Sequence, residues 1–295
     1  VVEQRVVPLS RVACYVPAGR YPLPSSLLMS AIPARVAGVP EIVVACPRPD
    51  AVVLAAAVEA GVARVFRVGG GHAVAALAYG TQTFPAVDKI VGPGNRYVAC
   101  AKSLVSKDCA IDFEAGPSEL VWCTNGVPPA WVAADLIAQA EHDPDARALL
   151  ITTSAVYGSR VRDAVAALAP TRGPARTALR RNGGIVVAPS LEAAIALINR
   201  CAPEHLATDI DAVVAAAPRA GTVFVGRYAT PAAGDYATGS NHVLPTAGAA
   251  RFRGGLSTAD FVRTVSIQRL TRLGLGAIGA AAVTMAGLEG LTGHA

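Results

Sequence analysis

Short apolar runs alternate with longer Ala-rich segments along most of the chain. Glu41–Cys46 (EIVVAC) reads as a buried strand and Asp50–Gly61 as the helix after it. Ala63–Val68 is a second strand, ended by Gly69-Gly70-Gly71, and a helix follows through Ala78. Val87–Val91 is a third strand, ended by Gly92-Pro93-Gly94-Asn95, with another helix through Val105. The rhythm returns further on. Ala148–Thr153, Gly184–Ala188 and Gly221–Gly226 read as strands, Tyr157–Leu168 and Leu191–Arg200 as helices. Strands alternating with helices predict parallel sheets covered by helices, here in two halves of similar layout. Arg172–Arg181, basic and interrupted by proline, predicts a surface loop, and the C-terminal segment predicts helix with no further strand.

Composition narrows this picture. A chain of 295 residues suits one or two domains. Hydrophobic residues make up 53%, enough for a buried core, but aromatics only 5%, so Ala, Val and Leu must supply most of the packing. The net charge of +5 comes without any long Lys/Arg block, which gives no nucleic-acid footprint. The C-terminal uncharged stretch Leu273–Leu288 is rich in Gly and Ala and shorter than the roughly 20 apolar residues of a membrane span. The six cysteines, Cys14, Cys46, Cys100, Cys109, Cys123 and Cys201, contain no C-x-x-C pair. With no signal sequence at the start, they read as reduced thiols of a cytoplasmic protein.

Candidate chemistry is concentrated in a few places. The glycine-rich turns Gly69–Gly71 and Gly92–Asn95 follow strands, where a phosphate can meet the next helix N-terminus. Neither has the G-x-G-x-x-G spacing, and tight-turn packing is the simpler account of each. Pro129–His142 predicts a helix on which Gln139 and His142 share one face, so a carbonyl oxygen and an imidazole point to one spot. Ala202-Pro203-Glu204-His205 puts an acid beside an imidazole in a proline-restrained turn, a pairing suited to acid–base work. Asp235, Asn241 and His242 share a Gly-rich polar segment after the strand ending at Gly226, and loops at strand carboxyl ends are the usual ligand sites of α/β proteins. His294 stands at the C-terminus. Taken singly, each has a plain structural explanation.

Taken together and in order, the segments VGPGNRYVACAK, IDFEAGPSE, DLIAQAEHDPDA, APEHL, AGTVFVG, GDYATGSNHVLPT and EGLTGHA resemble the histidinol dehydrogenase family. The upstream run CYVPAGRYPLPSSLLMSAIPARVAGVPEIVVACP resembles it too, so the likeness covers essentially the whole chain. It implies two incomplete Rossmann-like parallel-sheet domains plus a helical C-terminal tail. Residues 1–119 are expected on the NAD side, 120–245 to carry metal and catalytic residues, and 246–295 to form a tail contributing to the site. The family's N-terminal arm, which helps interlock a dimer, has no counterpart in these segments.

The resemblance further implies zinc held by Gln139, His142, Asp235 and His294, and an acid–base pair of Glu204 and His205. Substrate contacts map to Ser118, Gln139, His142, His205, Asp235, Glu289 and His294, with His242 a further site residue. NAD contacts map to Tyr15 and Asn95. A third contact, a glutamine in the family, is His72 here, and an imidazole cannot use both groups of an amide. The implied reaction is the two-step NAD-linked oxidation of L-histidinol through L-histidinal to L-histidine by a cytoplasmic homodimer with shared sites. A related NAD-dependent dehydrogenase of another polar alcohol, such as a sulfonated diol, is the alternative on the same scaffold. A non-catalytic zinc- or nucleotide-binding descendant is the alternative of another class.

Overall fold

The computed structural model describes residues 1–18, 22–114, 116–216 and 218–295. It divides into two compact units, Leu9–Phe261 and a second made of Val1–Pro8 with Val262–Ala295. The chain opens on β1 (Val2–Pro8), which belongs to the second unit. The larger unit then begins with β2 (Arg11–Tyr15), α1 (Pro24–Val36), β3 (Glu41–Ala45), α2 (Ala51–Glu59) and β4 (Arg64–Phe66). It continues with α3 (Gly70–Tyr79), β5 (Lys89–Val91), α4 (Arg96–Val105) and β6 (Ala110–Ile111).

These five strands form one parallel sheet in the order β4-β3-β2-β5-β6. Both faces are covered, which explains why the strand sequences are apolar throughout rather than alternating. Successive side chains still point to opposite faces. Val12 and Cys14 of β2 pack with Leu27 and Ala31 of α1 and Val53 of α2, whereas Ala13 and Tyr15 pack with Ala73 and Leu77 of α3 and Val98 of α4. The strand order reverses between β2 and β5, and the crevice outside the carboxyl ends there is the general ligand position of such sheets.

The second sheet is built from β7 (Glu119–Cys123), α5 (Pro129–Glu141), β8 (Arg147–Thr152), α6 (Ala155–Leu168), α7 (Pro174–Asn182) and β9 (Gly183–Val187). It is completed by α8 (Leu191–Cys201), β10 (His205–Thr208), α9 (Asp211–Ala215), β11 (Thr222–Val225) and the short α10 (Pro231–Gly234). Its order, β11-β10-β7-β8-β9, is again parallel with one reversal, between β7 and β10. Leu120 and Trp122 of β7 face Val132 and Leu136 of α5, and Val121 and Cys123 face Ile198 of α8. The long segment after α10 joins this half to the first: Val243 and Leu256 enter the first sheet's core, and Asn241 Nδ2 donates to the Met29 carbonyl at 2.7 Å.

The two α/β halves match the expectation from patterning, with two corrections. Arg172–Arg181 is not a loop, because most of it forms α7: Pro174 takes the first helical turn, where its missing N–H costs nothing, and Ala175 and Ala178 are buried. Nor is the C-terminal segment strand-free. β12 (Val262–Gln268) pairs antiparallel with β1, from Val2 opposite Gln268 to Pro8 opposite Val262. Its apolar residues Val265 and Ile267 are spaced by two, the period of a strand. The tail does contain the expected helix, α11 (Arg272–Leu288), followed by a 3₁₀ turn at Thr292–His294.

Candidate active site

α8 ends at Ala202 in the left-handed region, φ +45°, with its N–H on the Ile198 carbonyl, and Pro203 bars further helix. The chain is thereby turned straight into β10, so Glu204 and His205 stand at the amino end of a central strand. They are buried there, 7% and 5% exposed, and not on a solvated turn. The adjacent strand β7 begins alongside them, His205 opposite Leu120. Glu204 Oε2 accepts the Ser118 hydroxyl at 2.6 Å and the Glu119 N–H at 2.9 Å. Ser118 in turn accepts Gln139 Nε2 at 2.6 Å. One hydrogen-bonded chain therefore runs from the amide of Gln139, through a hydroxyl, to the carboxylate of Glu204.

Gln139 arrives on α5, whose apolar face (Val132, Leu136, Ala140) locks it against the sheet. One turn earlier, Asp135 accepts Trp122 Nε1 at 3.0 Å and Thr230 Oγ1 at 2.6 Å. Thr230 precedes α10 and Asp235 ends it, so Asp135 ties the helix carrying Gln139 and His142 to the short helix carrying Asp235. Gly234 admits no side chain, since a Cβ would lie 2.5 Å from the Phe224 ring. His242 Nδ1 is 2.8 Å from the Asp235 carbonyl, which fixes the other side of the segment. As a result Asp135, Gln139, His142, His205 and Asp235 line one small cavity of about 20 Å³, room for a water molecule or a bare ion.

Burial sets the protonation states. The Glu204 carboxyl is pushed up to about 7 by desolvation, against the opposing pull of the Ser118 and Glu119 hydrogen bonds. His205 is pushed down to about 4, again by desolvation, with the Asp235 carboxylate acting the other way. At neutral pH the imidazole is therefore uncharged. Its Nδ1 lies 3.2 Å from the Glu119 carbonyl, to which it can only donate, so the lone pair is on Nε2. Cys201, close by in sequence, has its thiol raised by burial and is no ready nucleophile.

The donors that gather at the cavity are of mixed type. Among the described residues no group of three or more His, Cys, Asp and Glu is arranged to hold a metal. His142 Nε2 and Asp235 Oδ2 approach to 3.6 Å, and Gln139, engaged through Nε2, has its oxygen left to offer. An imidazole nitrogen, a carboxylate and an amide oxygen fit a divalent ion of the zinc type and leave its coordination incomplete. Gln139 and His142 also stand at the carboxyl end of α5, where the helix dipole favours positive charge. Glu289, the C-cap of α11, and His294 belong to the other compact unit, where both are exposed.

The expected cofactor residues lie on the first sheet. Tyr15 ends β2 and Asn95 follows β5, so both flank the strand-order reversal. Tyr15 is buried, and its hydroxyl accepts the Gly70 N–H at 3.0 Å, at the start of the helix that carries His72. Asn95 caps α4, accepting the N–H groups of Tyr97 and Val98. His72 is exposed in the first turn of α3. Sequence reading missed Asp135 and Thr230. Asp135 sits four residues before Gln139 on the same helical face, a spacing that could have drawn attention to it.

Two doubly wound parallel sheets, one with a buried acid–imidazole pair beside nitrogen and oxygen donors, define an α/β enzyme equipped for acid–base chemistry. A family profile described as histidinol dehydrogenase matches residues 1–295. A histidinol dehydrogenase of Methylococcus capsulatus is 48% identical, with 99% of this chain and 70% of that protein aligned. One from Pseudomonas aeruginosa is also 48% identical, over 100% and 70%. The crystal structure of histidinol dehydrogenase from Elizabethkingia anophelis superposes with a TM-score of 0.93 at 36% identity, covering 99% of this chain and 70% of that one. A 1-pyrroline-5-carboxylate dehydrogenase from Thermus thermophilus, 12% identical with a TM-score of 0.57 over 92% and 68%, shares the fold alone. The chain belongs to the histidinol dehydrogenase family, whose members are NAD-dependent oxidoreductases.

Proposed function

We propose that the protein oxidises L-histidinol to L-histidine in two NAD-linked steps, with L-histidinal held between them. The observation that carries this reading is the hydrogen-bonded chain Gln139–Ser118–Glu204, beside a neutral buried His205 on the same cavity. Zinc would be held by Gln139, His142, Asp235 and His294, and NAD by Tyr15, His72 and Asn95. When bound, zinc supplies a Lewis acid that holds the imidazole and amine of the substrate, and NAD supplies the hydride acceptor for each oxidation. His205 Nε2 takes the hydroxyl proton as the alcohol becomes the aldehyde. Glu204 takes a proton from the water that adds to the aldehyde, and loss of a second hydride and proton from the hydrate gives the carboxylate. Ser118 keeps Glu204 oriented, and His242 and Glu289 complete the substrate's surroundings. Assaying NADH formation with histidinol, a sulfonated diol and no substrate tests the proposal. Turnover of histidinol is expected; turnover of the diol alone, or of neither, overturns it.

The metal assignment predicts stoichiometric zinc in the purified protein. Elemental analysis after gel filtration should find it, and His142→Ala should lose most of it. Removing one of these donors is expected to weaken binding by more than the roughly 10–100-fold cost of disturbing an outer-shell partner. Full histidinol oxidation by metal-free protein would refute the assignment.

We further propose a cytoplasmic homodimer in which Glu289 and His294 reach the partner's site. Among the described residues no helix is long and apolar enough to cross a membrane. α11 nevertheless exposes Leu273, Leu275, Ile278, Met285 and Leu288, and of its own residues only Ala286 is buried. An apolar helix face of this kind calls for a covering surface, and a second copy of the chain provides one. Mixing inactive His205→Ala chains with inactive His294→Ala chains should restore part of the activity, because one hybrid site regains all its residues. Absence of restoration after proven subunit exchange would count against shared sites.

A further inference from the structure

Lys102 and Asp112 form an ion pair in the interior of the first half, each only 1% exposed. Neither takes part in the chemistry proposed above. Withdrawing two charges from water costs several kcal/mol per ion, and well-packed apolar residues of similar volume often serve stability as well or better. What the pair holds is more specific than the core. Lys102 Nζ donates to the Gly92 carbonyl at 3.0 Å, and Asp112 Oδ2 accepts the Gly92 N–H at 2.7 Å. Asp112 Oδ1 also accepts the Phe113 N–H at 2.7 Å. Both backbone polar groups of one residue are thus clamped by the two members of one ion pair.

Gly92 is the first residue after β5 and opens the turn to α4. It lies at φ +107°, and a Cβ there would come 2.3 Å from the Tyr15 carbonyl oxygen, so only glycine allows this approach. The turn's far end is fixed by the Asn95 cap. Lys102 sits on the very helix that the turn begins and reaches back to the strand end. The clamp therefore sets the relation between Tyr15 on β2 and Asn95 after β5, on either side of the strand-order reversal.

We propose that Lys102 and Asp112 are positioning residues for NAD. By pinning Gly92 they hold the Gly92–Asn95 turn against Tyr15 before the dinucleotide arrives, and binding is spared the cost of ordering it. The inference rests on the reading that NAD binds beside Tyr15 and Asn95.

The test is isothermal titration of the zinc-loaded, full-length protein with NAD, together with steady-state kinetics. The double variant Lys102→Met, Asp112→Asn removes both charges, keeps an acceptor for the Gly92 N–H and leaves no unpaired buried ion. Its NAD dissociation constant and KM should rise about tenfold or more, the scale of ordering a few backbone and side-chain groups. The KM for histidinol, the zinc content, the Tm and kcat at saturating NAD should stay within about threefold or unchanged, a split that a general loss of packing would not produce. Backbone amide exchange at Gly92 should quicken. Should the double variant fail to fold, Asp112→Glu retains the charge, displaces the carboxylate by one methylene and should weaken NAD in the same selective way. Wild-type protein that binds NAD no more tightly than a folded variant overturns the positioning role alone. Wild-type protein that binds no NAD at all overturns this inference together with the functional reading beneath it.

Discussion

Glu204→Gln is expected to slow the oxidation of supplied L-histidinal by about 10²–10⁴-fold, the usual cost of losing a general base, and to affect the first hydride transfer from histidinol far less. The substitution is nearly isosteric. A glutamine oxygen can still accept the Ser118 hydroxyl and the Glu119 N–H, so the chain to Gln139 survives and the loss falls on proton uptake. Burial pushes the Glu204 carboxyl up to about 7, so its ionised, basic form builds up as pH rises through neutrality. The histidinal half-reaction of the parent protein should therefore rise with pH through about 7, and the variant should lose that rise. Single-turnover absorbance of NADH, with each substrate offered separately over a pH series, measures both effects. Equal slowing of the two half-reactions, or untouched histidinal oxidation, would remove Glu204 from this role even though the family assignment stands.

Much of the fold was legible because helices and long apolar strands announce themselves by period. The helix read over Pro129–His142 is α5, with His142 as its C-cap, and its Gln139–His142 face followed from spacing. Three interior strands, β2, β7 and β10, did not. β10 is only His205–Thr208, and its HLAT carries too little apolar periodicity to stand out after a helix and a proline. Without it Glu204 and His205 read only as part of a proline-restrained turn, whereas the sheet buries them and so moves their protonation states. The general rule points to strand carboxyl ends, yet here the acid–imidazole pair stands at the amino end of β10, level with the carboxyl end of α5. The spacing of Asp135 to Gln139 could mark its face but not its role, which depends on Trp122 and Thr230, 13 and 95 residues away and met only in the folded chain.

The two buried groups are driven in opposite senses by one cause. Desolvation disfavours charge, so it raises an acid and lowers a base: Glu204 goes to about 7 and His205 to about 4. The pair is thereby divided between two tasks at one pH. A neutral imidazole with a free lone pair is ready for a hydroxyl proton, and a carboxylate of raised basicity is a stronger acceptor for a proton from water. Ser118 links the carboxylate to Gln139, so the residue proposed to bind metal and the residue proposed to activate water share a fixed geometry.

His205→Ala is expected to slow NADH formation from histidinol by about 10²–10⁴-fold in a single turnover. Nδ1 is committed to the Glu119 carbonyl, which leaves Nε2 as the proton acceptor and fixes the ring's orientation. Because burial keeps the imidazole near 4, it is already neutral across the neutral range, and the alcohol step should show no inflection from His205 there. Removing the ring also opens a gap beside Phe224, whose ring centre is 5.9 Å away, so loss of packing has to be separated from loss of the base. His205→Asn does this: its amide nitrogen can replace Nδ1 as donor to the Glu119 carbonyl, but it offers no basic nitrogen. Asn should fold and bind zinc as the parent does and still lose the alcohol step. Retention of the parent's single-turnover rate by His205→Asn would show that another group takes the hydroxyl proton, and retention by His205→Ala would remove His205 from the chemistry altogether.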